Sequence, residues 1–311
     1  GRESHMPQKL DDMLSHLLTQ KSGNFFITQN TNMKRIAIQG AKGSFHDITA
    51  HRYFSGEDIE VIYCARFEDI FSMIKKDDSI IGLMAIENTI AGSLLQNHEL
   101  LRESDTQIIG EARLHISHSI MCLPEDDWED ITEVSSHPIA LMQCREFLNA
   151  HPNIKAVEAE DNAKSAEDIF ENKLHGHAAI CGKDVAAMYG LKILQEGIET
   201  NKHNSTRFLI LANRWHADEL RKNDICNKSS FVFTLPHTEG SLSQVLSILS
   251  YYKMNLTKIQ SLPIIGREWE YQFYIDVVYE DRLRYRQAVD AITLIKELKI
   301  LGEYAESKND L

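Results

Sequence analysis

The sequence predicts an α/β protein of two lobes followed by a ferredoxin-like βαββαβ module, and three observations carry that prediction. Short apolar runs alternate with helical segments from Arg35 to about Ala212. The rhythm changes after Gly110, where ARLHISHSIMCLP is one long extended stretch able to cross from one lobe to another. A polar segment, Asp218 to Ser229, then separates this part from a compact second pattern of strands and helices. At 311 residues the chain is long enough for two or three cores.

In the first lobe RIAIQG (35–40), EVIYC (60–64) and SIIGLMAI (79–86) read as strands. DITAHRYF (47–54) and FEDIFSMIKK (67–76) read as helices, the latter with apolar residues at helical spacing. Such alternation implies a parallel sheet with helices on both faces. The second lobe, about 115–195, repeats it with strands EVSS, KAVEA and HAAICG and helices PIALMQCREFLNA (138–150) and KSAEDIFEN (164–172). TRFLILA (206–212) then supplies a strand that returns to the first lobe. A cleft between two such lobes is the usual place for a small ligand.

The module at 230–305 begins with SFVFTLP, a helix over 242–253 and the strands NLTKIQSLP and EYQFYIDVVYE. A helix over 283–298 and the strand ILGEYA follow. Leu242, Val245, Leu246, Leu249 and Tyr252 form one apolar helix face, and EYQFYIDV alternates as a half-buried strand does. With both helices on one face, the other sheet face and the edges need a cover, most cheaply a second copy; a homodimer or tetramer through this module is expected. The expected segmentation is 1–33 a tag remnant and N-terminal extension, 34–217 the two lobes, 218–229 a linker, 230–305 the module and 306–311 a tail. GRESHM resembles a purification-tag remnant, Met33 is a second plausible start, and 7–32 is expected to be poorly ordered or loosely docked despite its amphipathic Leu10, Met13, Leu14, Leu17 and Leu18.

Lys and Arg number 33 against 46 Asp and Glu, a formal net charge of −13. An acidic chain without a basic stripe repels phosphate backbones, which argues against nucleic acid. There is no run of eighteen apolar residues and no signal peptide, so no membrane partner and a cytoplasmic location are expected. Five scattered cysteines suit a reducing compartment. His115-x-x-His118 and His175-x-His177 lack a matching cysteine or carboxylate set, so no metal is expected. Neither a Cys–His nucleophile in an electropositive setting nor a G-x-S-x-G elbow is evident.

Four stretches at strand ends are candidates for chemistry. GAKGSFHD (40–47) opens the first helix; its glycines allow close backbone approach and the helix start favours an anion, while the spacing fits no nucleotide loop. AIENTIAG (85–92) ends a buried strand with Glu87, Asn88 and Thr89, a costly cluster inside unless paired or functional; a helix cap by Asn88 or Thr89 is the structural alternative. In SSHPIALMQC (135–144), Ser136 can cap a helix with Pro138 in its first turn and Gln143 on a later one. His137, before that proline, reads as a turn residue. NSTRFLIL (204–211) sets Thr206, Arg207 and Phe208 at the mouth of a core strand; a plain strand start with an exposed charge is the alternative.

Together these stretches and the C-terminal GSLSQVLSIL, MNLTKIQSLP and EYQFYIDV resemble the prephenate dehydratase family over about residues 34–305. The resemblance implies a two-lobed, periplasmic-binding-protein-like catalytic part and a C-terminal ACT regulatory domain. It also implies conversion of prephenate to phenylpyruvate, water and carbon dioxide in phenylalanine biosynthesis, with no cofactor or metal. Carried over by motif, Thr206 donates a proton to the leaving hydroxyl, Arg207 holds a substrate carboxylate and Phe208 shapes the apolar wall. Gly43, Ser44, Glu87, Asn88, Thr89, Ser136, Gln143 and Glu160 would line the cleft. An L-phenylalanine site would fall on Gly240, Ser241, Leu242, Asn255, Gln260, Ser261, Leu262 and Pro263.

There are departures. The family's Glu-Ser-Arg-Pro reads Gln260-Ser261-Leu262-Pro263, its Gly-Ala-Leu reads Gly240-Ser241-Leu242, and EDNAKSAE replaces a stretch richer in Ser and Thr beside Glu160. Losing the arginine leaves phenylalanine binding for measurement to decide. Arogenate dehydratase, which performs the same elimination on a substrate with an amine for the keto group, is an alternative. So is a non-catalytic two-lobed amino-acid sensor, against which the Thr206-Arg207-Phe208 triplet speaks.

Overall fold

The computed structural model describes residues 33–222, 225–236, 238–294 and 297–311. The expectations for residues 1–32 lie outside the described residues. The first lobe is built on β1 (Lys34–Gln39), β2 (Ile59–Cys64), β3 (Ile81–Asn88), β4 (Gly92–Ser93), β5 (Thr106–His115) and β11 (Ser205–Asn213). Their order is β2-β1-β3-β11-β5, with β4 on β3. β1 runs parallel to β2 and β3, while β11 is antiparallel to both its neighbours. α1 (Phe45–Tyr53), α2 (Phe67–Lys76), α3 (Leu95–Glu103) and α8 (Ala217–Leu220) cover this sheet. α2 spans the expected residues: Ile70 and Ile74 face the core one turn apart, Glu68 and Asp69 sit in its first turn, and Lys75 and Lys76 in its last. α3 was not legible in LQNHELLRE, whose polar Asn97 and His98 are buried along with Leu101.

The second lobe carries β6 (Ser119–Cys122), β7 (Glu133–Ser136), β8 (Lys155–Glu158), β9 (His177–Cys181) and β10 (Lys192–Gln195) in the order β10-β6-β9-β7-β8. Its helices are α4 (Pro138–Gln143), α5 (Arg145–Ala150), α6 (Asn162–Asn172) and α7 (Asp184–Tyr189). The one helix expected over 138–150 is broken at Cys144, whose N–H is shared between Ala140 O and Leu141 O; this tighter turn draws the buried thiol inward. The lobes touch where Gly43 meets Ala163 of α6 and where Gly182 meets Ile48 of α1. Arg52 of α1 closes the seam with a two-pronged contact to Asp184 at 2.8 and 3.1 Å.

The C-terminal part has β12 (Lys228–Pro236), α9 (Ser241–Tyr251), β13 (Asn255–Pro263), β14 (Glu270–Val278), α10 (Arg282–Thr293) and β15 (Leu298–Tyr304). Its four strands are ordered β13-β14-β12-β15, with antiparallel pairing throughout. Val245, Leu249, Tyr285, Ala288 and Ile292 of the two helices pack with Phe231, Phe233, Ile275 and Val277 on one face. The opposite face needs no second copy of the chain. Val232, Tyr274, Leu301 and Tyr304 from it merge with Ile108, Leu209 and Leu211 of the first lobe in one core. That correction removes the bare sheet face as a ground for a dimer, although β13 remains an edge strand with Leu256 and Ile259 exposed.

The expected linker also differs. It begins in α8 and ends inside β12, where Lys228 and Ser229 are buried because each has partners: Lys228 Nζ meets Glu111 at 3.1 Å, and Ser229 Oγ donates to Gly302 O at 3.0 Å. Residues 306–311 lie against the first lobe, with Ser307 N donating to Glu111 Oε1 and Leu311 N to Arg113 O.

Candidate active site

A cavity of about 400 Å3 opens between the lobes, and its lining is drawn from both. Its polar centre is a cross-strand pair. β3 and β11 set Asn88 opposite Thr206, and Asn88 Nδ2 donates to Thr206 Oγ1 at 2.9 Å and to Asn204 Oδ1 at 2.7 Å. The orientation of the Asn88 amide is fixed by its other end, since Oδ1 accepts from Ile90 N and Ala91 N, both at 2.9 Å. With its oxygen accepting from Asn88, the Thr206 hydroxyl is free to direct its hydrogen into the cavity. Phe208, two residues along the same strand face, forms apolar wall with Leu94, Ile116 and Ile139.

Three helix starts converge on the space: the first turn of α1 (Ser44, Phe45, His46), that of α4 (His137, Ile139, Ala140) and that of α6 (Asn162, Ala163). A first turn leaves N–H groups without intrahelical acceptors and carries partial positive charge. Among the described residues that line the cavity there is no lysine or arginine. The α1 start is held by Asp47, buried beneath it, whose Oδ2 accepts from Gly43 N at 2.7 Å while Oδ1 accepts from the Tyr63 hydroxyl at 3.0 Å. Gly43, at φ +84°, also lets α6 approach; a Cβ there would come within 2.8 Å of Ala163 Cβ.

Of the residues expected in the cleft, Gly43, Ser44, Asn88, Gln143, Thr206 and Phe208 line it. Others do not. Ser136 is wholly buried behind the wall, its hydroxyl donating to Ile180 O at 2.6 Å and lying 2.9 Å from Asn162 Oδ1, so it positions lining residues without being one. Glu160 is exposed, and its neighbours Asp161 and Asn162 take the place expected for it. Thr89 faces a separate depression, where its hydroxyl donates to His203 O at 3.0 Å.

Arg207 and Glu87 are the largest correction. Strand alternation turns both to the back of the sheet, away from the cavity. The Arg207 guanidinium, 4% exposed, is committed to Glu87 (2.6 Å), Glu111 (2.9 Å) and Asp276 of β14 (2.6 Å), which leaves it no fork for a substrate carboxylate.

Two histidines that motif reading missed belong to the site. His46 is half-buried in the cavity wall; its packing pushes its pKa down to about 4, so the ring is neutral, with Nε2 accepting from Ala85 N at 3.2 Å and the ring meeting Phe208 edge to face. His118 is 1% exposed, and burial lowers its pKa too, against the opposing pull of its bond to Gln143 and the charge of Glu199. Nε2 of His118 donates to Gln143 Oε1 at 2.7 Å, which leaves Nδ1 a buried acceptor with no hydrogen-bond partner among the described residues. In the sequence His118 stands out only in the spacing His115-x-x-His118, among other polar residues of the crossing stretch, and that spacing points to a metal and not to this cleft.

The residues expected to bind an effector are spread over the C-terminal part. Gly240, at φ +75°, and Ser241 begin α9, and Leu242 borders a shallow concavity along that helix with Leu246 and Tyr251. Asn255, Gln260, Ser261, Leu262 and Pro263 run along β13, with Leu262 turned inward and Gln260 Nε2 donating to Ser261 O at 3.1 Å. Among the described residues, no group of three or more His, Cys, Asp and Glu could hold a metal ion, and no helix is long and apolar enough to cross a membrane.

Comparison with known proteins gives a consistent result. A family model described as prephenate dehydratase matches residues 36–215. The bifunctional chorismate mutase/prephenate dehydratase of Escherichia coli (strain K12) is 30% identical over 282 residues, covering 89% of this chain and 70% of that protein. The chloroplastic arogenate dehydratase 5 of Arabidopsis thaliana is 32% identical over 291 residues, covering 87% and 67%. A prephenate dehydratase from Arthrobacter aurescens, solved in complex with L-Phe, matches with a TM-score of 0.74 at 25% identity over 89% of this chain and 92% of that one.

Proposed function

This chain belongs to the prephenate dehydratase family, and we propose that the interlobe cavity converts prephenate to phenylpyruvate, with Thr206 as the donor to the departing hydroxyl. One observation carries the assignment of Thr206: Asn88 donates to its oxygen, which leaves the hydroxyl hydrogen free to donate into the ligand space that Thr206 lines. The reaction asks little else of the protein. The bond from the ring to its carboxylate breaks and releases carbon dioxide. That electron pair completes the aromatic ring as the ring carbon–oxygen bond breaks, and the oxygen takes a proton and leaves as water. Aromatisation drives the step, and assistance to the poor leaving group is where rate is gained, typically by about 10²–10⁴-fold. A threonine hydroxyl serves only when fixed in a dry network, which Asn88, Asn204 and the apolar wall supply.

The substrate's two carboxylates meet helix starts in place of cationic side chains. α1 in one lobe and α6 in the other present N–H groups across the cavity, a geometry suited to a dianion held between closing lobes. The C-terminal part has the strand and helix order of an ACT domain and serves here as a regulatory module for L-phenylalanine, as the ligand of the Arthrobacter relative suggests. The exposed β13 edge supports a homo-oligomer formed by pairing with a second copy. A cytoplasmic location belongs to the same proposal, and the free cysteines support it.

Arogenate is kept as an alternative substrate by the likeness to arogenate dehydratase 5 of Arabidopsis thaliana. Measuring kcat/KM for both substrates separates the readings. A value for prephenate at least about tenfold higher, worth about 1.4 kcal/mol in the transition state, supports the proposal. The reverse ratio makes arogenate the substrate, and no turnover of either returns the chain to a binding role.

A further inference from the structure

The back of the catalytic strands holds a feature that the elimination chemistry does not use. Six charged side chains meet between the first lobe and the C-terminal module, and each sheet contributes three. Glu87, Arg207 and Glu111 come from β3, β11 and β5; Lys228, Lys258 and Asp276 come from β12, β13 and β14. The signs balance. Lys258 Nζ lies 2.7 Å from Glu87, Arg207 reaches Glu87, Glu111 and Asp276, and Lys228 lies 3.1 Å from Glu111. Asp276 Oδ1 also accepts from Ser230 Oγ at 2.5 Å, which bonds in turn to the Tyr304 hydroxyl.

Stability does not explain the cluster. The two sheets already join through an apolar core of Ile108, Leu209, Leu211, Val232, Tyr274 and Leu301. Replacing buried ions by apolar groups of similar size is often neutral or stabilising. What the ions add is position, because the contacts of Arg207 to Glu111 at 2.9 Å and to Asp276 at 2.6 Å join side chains almost wholly out of water and tolerate little sliding. Their placement along the chain is the telling fact. Glu87 precedes Asn88 and Arg207 follows Thr206, and the register pairs Arg207 with Glu87 just as it pairs Thr206 with Asn88. The next step of the ladder slips, leaving Ile86 without a partner, so these two cross-strand pairs form a short unit of their own.

We propose that this ion cluster is the linkage by which the C-terminal module sets the position of Thr206 and Asn88, with Glu87 and Arg207 acting as positioning residues on the far face of the same strands. The inference rests on the reading of Thr206 as the donor. A shift of β14 carries Asp276 with it, and Arg207 follows because both side chains are almost wholly out of water; a shift of β13 carries Lys258 and pulls on Glu87 at the partly exposed edge of the cluster. A ligand on the module therefore reaches the cleft through one layer of side chains.

A double-mutant cycle tests this: prephenate turnover by the wild type, Asp276→Asn, Thr206→Ala and the double variant. Asp276→Asn is expected to lower kcat about tenfold with KM within about twofold, and to cost less than about twofold in the Thr206→Ala background, since the effect is exerted through that hydroxyl. Equal losses in both backgrounds, or an unchanged kcat in Asp276→Asn, would overturn the linkage. Should Asp276→Asn fail to melt cooperatively, Lys258→Met at the rim of the cluster takes its place under the same criteria. Wild-type turnover by Thr206→Ala is a separate outcome that removes the donor reading itself.

Discussion

The two faces of the β3–β11 strand pair differ more than any two lobes of this molecule. Toward the cleft stand Asn88, Thr206 and Phe208, uncharged groups held by directed hydrogen bonds beside an open space. Toward the module stand Glu87 and Arg207, in a layer of six ions of which five are nearly free of water and Glu87, a third exposed, forms the edge. Period-two alternation supplies both from two dipeptides, Glu87-Asn88 and Thr206-Arg207. A neutral hydroxyl is a useful donor when its geometry is fixed and its field uncluttered, and full charges fix geometry best when they are kept one layer away.

Removing the central cation gives the largest expected effect. Arg207→Met leaves Glu87, Glu111 and Asp276 facing one another, and breaking a buried ion set in this way costs about 3–5 kcal/mol; a denaturant titration reads it. A loss below about 1 kcal/mol would mean that the cluster is wetter than the structure shows. On the cleft face, Asn88→Ala removes the group that orients Thr206 and is expected to lower kcat by about 10–100-fold, equivalent to about 1.4–2.8 kcal/mol, with little change in the melting temperature.

Acid reaches the buried histidines of both faces before it reaches the ion layer. Burial depresses the pKa of His46 and of His98, which packs on Tyr274 at the module seam, to about 4. For a group whose folded pKa is lowered, the stability is complete above the unfolded value, about 6.5, and is lost as pH falls toward the folded one. The melting temperature should therefore decline from pH 6.5 to 4, with about 1 kcal/mol lost per histidine over the first pH unit. Burial disfavours the charge on Glu87, yet Arg207 and Lys258 together hold its carboxyl below the usual range, so the ion layer persists to lower pH. A melting temperature level from pH 7 to 4.5 would contradict the buried neutral histidines. At the lobe seam Gly43→Ala forces a left-handed residue, at a cost of about 1–2 kcal/mol for the backbone alone, against Ala163; calorimetric melting would register it, with a raised KM if the lobes no longer close.

Much of this was legible in the sequence, for identifiable reasons. FEDIFSMIKK announced α2 because its apolar residues fall on one helical face. Thr206 and Asn88 stood out as polar residues at the ends of apolar strands, and both line the cavity. The role of Arg207 was misjudged even though the signal was present: if Thr206 faces the cleft, its neighbour on a strand must face away. Its partner Asp276 lies 69 residues further along the chain, in a strand whose alternation shows a buried carboxylate but not its counter-ion. The docking of the module on the first lobe was hidden for the same reason, since Val232, Tyr274 and Leu301 advertise an apolar face without saying what covers it. Ser136 and Glu160 show the limit of motif transfer by position, because one residue along the chain separates a lining side chain from a supporting or exposed one.

The presentation of the Thr206 hydroxyl by Asn88 is tested by following phenylpyruvate formation from prephenate, by its absorbance in alkali, with the wild type, Thr206→Ser and Thr206→Val. Thr206→Ser, which keeps the hydroxyl, should retain kcat within about tenfold, and Thr206→Val, which keeps only the shape, should lose about 10²–10⁴-fold with KM nearly unchanged. Turnover by Thr206→Val equal to that of Thr206→Ser would contradict it and move the donor to another group in the cavity.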